Sequence, residues 1–469
     1  MSLWRKSAGY AVGRGIASAM VFLLLPLLTR LMNAEEFGVW QALAFWAGAI
    51  TVIVQFGTDQ SLFKFFILDR TQRGKYLFSS LLTIFSLSIV FLVLCWFFRT
   101  GLAGIILGNE SRGNLIFLTA LWGISDALFF ILASLFQAQE QVKMFVIADI
   151  MRAALGYGIA ILLLMKGSGV SGVLIGWTAA GFAAFVLFLP EIVRQCTFST
   201  GKEIFSPMLK YGFPLAVNML IVKIFSFSDR WLLARLDNFS SAGEYSAAVK
   251  IAGIVAMAVV PIRYAWVARM FNMHRENTLK RQLPTIWRQM SGAMAVITIA
   301  TIILSPEIFK IMIGPGYEAG LVIVPILAAV YFLDALMLIA DAGIYVSGKT
   351  VFVPIFTAIA SAVNIALNII LIPRYGILGA ASSALASYTI LLFFGWRMGQ
   401  FLMPVEIPYA RVFGTIFGVI AAIVVSVSVE SFSARIIVLA VLLTAVVFIS
   451  GLDGDIRRFL SHRNNLLKN

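Results

Sequence analysis

The stretch YGFPLAVNMLIVKIFSFSDRWLL, Tyr211 to Leu233, decides how this chain is read. It is long enough to cross a bilayer as a helix, which takes about 20 mostly apolar residues, yet Lys223 stands near its middle. Similar stretches recur from end to end, and two others hold Arg14 and Lys250. A Lys or Arg at the centre of a spanning helix costs about 2.5–3.5 kcal/mol on insertion scales, so such residues face a protein interior or a watery cavity and mark a pathway. Three of them point to an anionic cargo.

Over 469 residues the chain is 61% hydrophobic and 12% charged, which excludes a soluble multidomain protein and predicts an all-α polytopic membrane protein of about fourteen spans. The net charge of +14 does not indicate nucleic acid, because the basic residues sit in short loops rather than on one face. With both termini cytoplasmic, the outside loops hold only nine of the 36 Lys and Arg residues, so the positive-inside rule favours that orientation. Cys95, Cys196, His274 and His462 make no cluster of metal-site spacing, and neither a metal nor a cofactor is expected. Met1 to Gly9 runs into a full-length span at 9–29 without a cleavage pattern, so it does not read as a removable signal. The longest loops are Glu191 to Lys210 and Val267 to Met290 inside, and Arg99 to Gly113 outside. None has room for a catalytic domain, and no enzyme is expected.

An internal repeat organises the chain. Leu28, Arg30, Leu31 and Asn33, followed by Gly38 and Ala42, match Leu233, Arg235, Leu236 and Asn238, followed by Gly243 and Ala247, at one offset of 205 residues. Six spans lie between the copies, so the repeats share an orientation and are expected to be related by a pseudo-two-fold along the membrane normal. The expected domains are a six-helix lobe over 1–192, a second over 193–403, and two additional helices with a short basic tail over 404–469.

Three patterns carry a family resemblance: Leu27 to Leu31 leading to Glu36–Trp40; Gly314, Pro315, Gly316 and Tyr317 to Ala319; and Asn364, Asn368, Pro373, Tyr375, Gly376 and Gly379 to Ala381. With these the chain resembles the polysaccharide transporter family, the lipid-linked oligosaccharide flippases of the multidrug/oligosaccharidyl-lipid/polysaccharide exporter superfamily. The resemblance implies flipping of an undecaprenyl-pyrophosphate-linked oligosaccharide across the bacterial cytoplasmic membrane by alternating access between two lobes. It also implies a polysaccharide polymerase and a chain-length regulator as partners, beside membrane lipids. Pro26 is the hinge candidate on the same ground.

The candidate substrate-binding residues are Arg14, Lys223 and Lys250. A diphosphate carries about two negative charges, and a fixed cation attracts it strongly at low dielectric; Arg offers a planar fork, Lys a point charge. None of the three has an acid three or four residues away on its own helix, whereas Asp149 and Arg152 do and read as a structural pair. Arg263, near the end of its span, reads as an interface anchor. Asp334 and Asp341, two helical turns apart, and Asp126 are candidate ion-coupling acids; they could equally neutralise the buried cations. Arg30 and Arg235 either meet cargo at the exit or favour a helix C-terminus through its dipole. Alternatives are a drug/cation antiporter on the same fold, disfavoured because its cavity needs acids, and a membrane glycosyltransferase, which needs a carboxylate cluster.

Overall fold

The computed structural model describes residues 22–454, apart from residue 430 and the side chains at 261, 264, 265 and 268. Among these residues every regular element is a helix, and twelve helices are long and apolar enough to cross a membrane. One of the twelve, Phe352–Leu402, is two spans joined at Gly376, whose φ of 53° and ψ of −128° break the helix. The first expected span lies mostly outside the described residues and ends in the helix Phe22–Leu31.

By packing, the chain divides into two units, Met1–Ser246 with Ile313–Tyr317, and Ala247–Met312 with Glu318–Asn469. In chain order the helices are α1 (Phe22–Leu31), α2 (Ala34–Gln55), α3 (Thr58–Leu68), α4 (Arg73–Leu107), α5 (Gly113–Ala138), α6 (Val142–Met165), α7 (Gly169–Leu187), α8 (Leu189–Gln195) and α9 (Lys202–Leu236). They continue with α10 (Phe239–Arg275), α11 (Leu279–Ile303), α12 (Ser305–Met312), α13 (Ala319–Ala340), α14 (Ala342–Val346), α15 (Phe352–Leu402), α16 (Tyr409–Ser428) and α17 (Phe432–Ser450). The stretches expected as long loops are largely helix: α10 runs on to Arg275 and α4 to Leu107. Their polar residues end the apolar span but not the helix, because the backbone hydrogen bonds of a helix do not depend on apolar side chains.

In the first unit α5 is the central helix, packed against α2, α3, α4 and α7 and burying Leu128, Leu132, Leu135 and Phe136. Within a bilayer such contacts gain from close packing and interhelical hydrogen bonds rather than from leaving water. Both devices join α2 to α5. Gly123 of α5 lies so near α2 that a Cβ would stand 2.7 Å from the Ala47 carbonyl oxygen. Thr51 Oγ1 donates to the Gly123 carbonyl at 2.9 Å, and Gln55 Nε2 to that of Ala127 at 3.3 Å.

The repeated residues do matching work. Asn33 accepts from the Glu36 amide at 2.9 Å and so caps the start of α2, while Asn238 accepts from the Ser241 amide at 2.8 Å at the start of α10. A side-chain acceptor at this position satisfies an amide that the helix leaves orphaned. Gly38 and Gly243 let the two helices cross backbone to backbone. A Cβ on Gly38 would lie 1.8 Å from the Phe239 carbonyl oxygen, and one on Gly243 would lie 1.9 Å from that of Ala34. Residues 34 and 239 are themselves equivalent under the repeat, so each copy touches the other with the same patch, the reciprocity expected around a local two-fold axis.

The other two patterns also have visible causes. Gly314 approaches α1 closely and its amide donates to Thr29 Oγ1 at 2.9 Å, while the fully buried Tyr317 hydroxyl donates to the Met32 carbonyl at 2.9 Å. Pro373 and Gly376 mark the break within α15, and Gly379 lies where a Cβ would meet the Leu371 carbonyl oxygen at 2.4 Å.

Candidate functional site

A cavity of about 510 Å³ opens within the first unit, walled by α2, the start of α3, α5 and α9. Its charged residues are Lys223, Asp126 and Asp59, and the rings of Trp122, Phe130 and Phe227 supply its aromatic surface. Such a mixture, an apolar wall with a few convergent polar groups, is the usual composition of a small-molecule site.

Lys223 reaches the cavity from α9. Its Nζ passes over Gly48 of α2, where even a Cβ would be 3.5 Å away, and lies 5.2 Å from the Phe227 ring centroid. Among the described residues Lys223 has no salt-bridge partner. Asp126 is close enough for the two charges to act on each other, but its carboxylate pairs with Arg152 of α6. That guanidinium stacks over Phe129 at 4.6 Å and Trp177 at 5.1 Å from the ring centroids. Guanidinium groups suit such buried, stacked pairs because they are weakly hydrated and planar. The acid nearest to Lys223 in charge is therefore already compensated, which leaves the ammonium available to a ligand.

Asp59 closes another part of the wall. It is 6% exposed and its Oδ2 accepts from Gln60 Nε2 at 2.9 Å, while Oδ1 has no partner among the described residues.

Of the residues singled out by sequence, Lys223 and Asp126 come together in this cavity. Arg14 lies outside the described residues. Lys250 is half-buried on α10 in the second unit. Arg30 and Arg235 are exposed at the last turns of α1 and α9, where a cation favours the helix dipole. Asp334 pairs with Arg263 at 3.1 Å, so the residue read as an interface anchor is an ion-pair partner. Asp341 stands at the C-terminal end of α13 beside a second-unit pocket of about 180 Å³ lined also by Arg263 and Tyr345. For Arg152 the structure supplies a partner on α5 that the within-helix rule did not name.

Sequence reasoning passed over Asp59, Gln60 and Asn218. The signal for the first two was present in Gly57, Thr58, Asp59 and Gln60, a polar run that follows a glycine directly after an apolar span and so has the form of a helix start.

An all-helical polytopic chain with a partly charged cavity enclosed among apolar helices has the architecture of a membrane transporter. The chain belongs to the polysaccharide biosynthesis protein family, whose pattern matches residues 3–274, more than half its length. It has the fold of a lipid II flippase, MurJ, in an inward closed conformation (TM-score 0.74, 15% identity, covering 95% of this chain and 99% of that one). It is also similar to an inward-facing multidrug resistance MATE family transporter of the MOP superfamily (TM-score 0.62, 13% identity, 89% and 96% covered). A third similar structure is a MOP superfamily transporter from Pyrococcus furiosus, described as having a binding pocket of reverse polarity (TM-score 0.61, 12% identity, 88% and 95% covered). No protein of curated function matches the chain. The protein is a multi-pass membrane protein with the fold of these transporters and flippases.

Proposed function

We propose that this protein flips an undecaprenyl-pyrophosphate-linked oligosaccharide from the inner to the outer leaflet of the bacterial cytoplasmic membrane, for assembly of an O-antigen, capsule or exopolysaccharide. The observation that carries the reading is Lys223, an ammonium facing a cavity among spanning helices while the adjacent acid, Asp126, is held by Arg152. In surroundings of low dielectric that ammonium attracts a diphosphate, and the enclosing apolar helices suit a lipid-borne cargo. The family supports a role in polysaccharide assembly, and the lipid II flippase supports a lipid-linked cargo by analogy of fold.

In this reading Lys223, Arg14 and Lys250 hold the diphosphate, Arg30 and Arg235 meet cargo at the exit, and both termini are cytoplasmic. The lobes 1–192 and 193–403 alternate about a pseudo-two-fold along the membrane normal, a reading supported by the like close approaches at Gly38 and Gly243, while residues 404–469 form two further helices and a tail. A polymerase and a chain-length regulator receive the product. Asp334 and Asp341 are the candidate ion-coupling acids, with Asp126 held by its arginine.

A second reading, export of an organic cation, is favoured by one observation: the acid Asp59 lines the same cavity, and its buried Oδ1 has no hydrogen-bond partner among the described residues. Deleting the gene in its native host separates the two. The flippase reading expects the lipid-linked saccharide to accumulate and the surface polymer to disappear, with rescue by wild type and not by Lys223→Ala. Altered drug sensitivity with no accumulation favours the cation exporter; a saccharide that never forms overturns both.

A further inference from the structure

The apolar course of α2 stops at Gln55, and the chain turns through two successive left-handed residues, Phe56 (φ 51°) and Gly57 (φ 75°), before α3 begins at Thr58. Left-handed backbone at a residue other than glycine is strained and persists only where surrounding structure holds it. Here α9 holds it. A Cβ on Gly57 would lie 2.0 Å from the Gly212 carbonyl oxygen, Ser61 Oγ donates to the Met208 carbonyl at 2.6 Å, and the Phe56 ring lies 5.2 Å from that of Phe213. Broken membrane helices of this kind occur where the backbone lines a cavity, and their exposed ends form ligand sites. The break sets Asp59 in the first turn of α3, whose positive end favours a carboxylate.

Nothing in the flipping of a diphosphate requires this acid, which would repel it. We propose that Asp59, together with the helix break that carries it, is a sugar-reading subsite: its carboxylate accepts hydrogen bonds from hydroxyls of the saccharide attached to the diphosphate. This inference rests on the flippase reading. Three observations carry it. Asp59, 6% exposed, is among the residues that line the cavity, and its buried Oδ1 is without a hydrogen-bond partner among the described residues. The polar groups sharing that wall include the neutral amides Gln60, Gln137 and Asn218, which both donate and accept as hydroxyls do. Trp122 and Phe130 offer apolar faces on which a sugar ring can lie. A resident metal suits the place less well, since no group of three or more His, Cys, Asp or Glu residues gathers there among the described residues. The cavity then sorts its cargo by charge, with the diphosphate on Lys223 and the hydroxyls on Asp59.

The test uses the full chain in lipid nanodiscs and native mass spectrometry, with two probes: undecaprenyl pyrophosphate, and the undecaprenyl-pyrophosphate-linked saccharide fraction extracted from the native host. Wild type should prefer the saccharide-bearing lipid. Asp59→Ala should reduce that preference by about ten-fold, the worth of one hydrogen bond to a charged acceptor, and Asp59→Asn, which keeps one acceptor oxygen, by less. Lys223→Ala should weaken both lipids alike and leave the preference in place. A preference unchanged in both Asp59 variants, with Lys223→Ala weakening both lipids, overturns the subsite while the flippase reading stands. Loss in Asp59→Ala of sodium-dependent binding, with the preference intact, assigns the acid to a cation and also overturns it. If wild type binds neither lipid, the flippase reading fails and the subsite falls with it.

Discussion

Two cations on spanning helices, Lys223 in the first unit and Arg263 in the second, meet opposite fates. Arg263 has its acid directly opposite, Asp334 at 3.1 Å, and both side chains are substantially exposed, at 48% and 33%. Lys223 lines a cavity beside an acid whose charge is taken by a third residue, Arg152, and that pair is only 12% and 14% exposed. The contrast argues that a cation on a spanning helix does not by itself define a site. What matters is where its nearest acid is committed. A cation with its own counter-ion is locked, whereas one beside an already satisfied acid can receive a ligand.

Removing the committed acid should have the largest effect. Asp126→Ala strands the Arg152 guanidinium among Phe129, Phe130 and Trp177, and breaking a buried pair from one side costs about 3–5 kcal/mol. In thermal unfolding of the purified protein in detergent, this variant should lose more stability than Lys223→Ala, Arg263→Ala or Asp334→Asn. Restoring a neutral cluster with Asp126→Ala combined with Arg152→Met should recover much of it; a double variant as unstable as the single one would show that Arg152 has other obligations.

The fold was largely legible beforehand, and the site only in part, for reasons that individual residues make plain. Spans are set by runs of apolar residues, which sequence displays directly, and the repeat was visible because Asn33 and Asn238 cap helices while Gly38 and Gly243 allow one backbone to touch the other. That last point carries its own test: Gly38→Ala and Gly243→Ala should each cost about 1–3 kcal/mol by overpacking, while Gly158→Ala, whose Cβ would meet nothing within 4 Å, should cost nothing measurable by the same assay. Unequal effects at the two crossing glycines would undo the local two-fold. Ion pairing was less legible, because the partner of Arg152 is on another helix and the rule of three or four residues sees only its own. Asp59 escaped because a span read by hydropathy ends at 58, where the chain in fact bends and continues.

Cargo binding should separate the two cations next. Lys223→Ala is expected to lower transport of the lipid-linked saccharide by about ten-fold or more, as loss of one charge-assisted contact does, with little change in unfolding temperature. Arg263→Ala should leave transport far less affected. Equal losses in the two variants would mean that position in the pathway, and not the commitment of the neighbouring acid, decides which cation matters.

The smallest effect belongs to Asp334→Asn. Its pair with Arg263 is open to a third or more on each side; where water fills that opening it screens the attraction, and flexible side chains lose freedom in making the pair, so the expected cost is about 0–1 kcal/mol. Asparagine keeps an oxygen that can accept from the guanidinium, which narrows the loss further. A stability change as small as this, set beside a large one for Asp126→Ala, would confirm that the two pairs differ in kind. A loss approaching that of Asp126→Ala would mean that Asp334 and Arg263 are shielded from solvent in the bilayer, and the second-unit pair would then have to be read as buried. Transport gives the complementary measurement: if Asp334→Asn unfolds normally yet abolishes movement of cargo, the acid serves the coupling role and its pairing with Arg263 is one state of a working cycle.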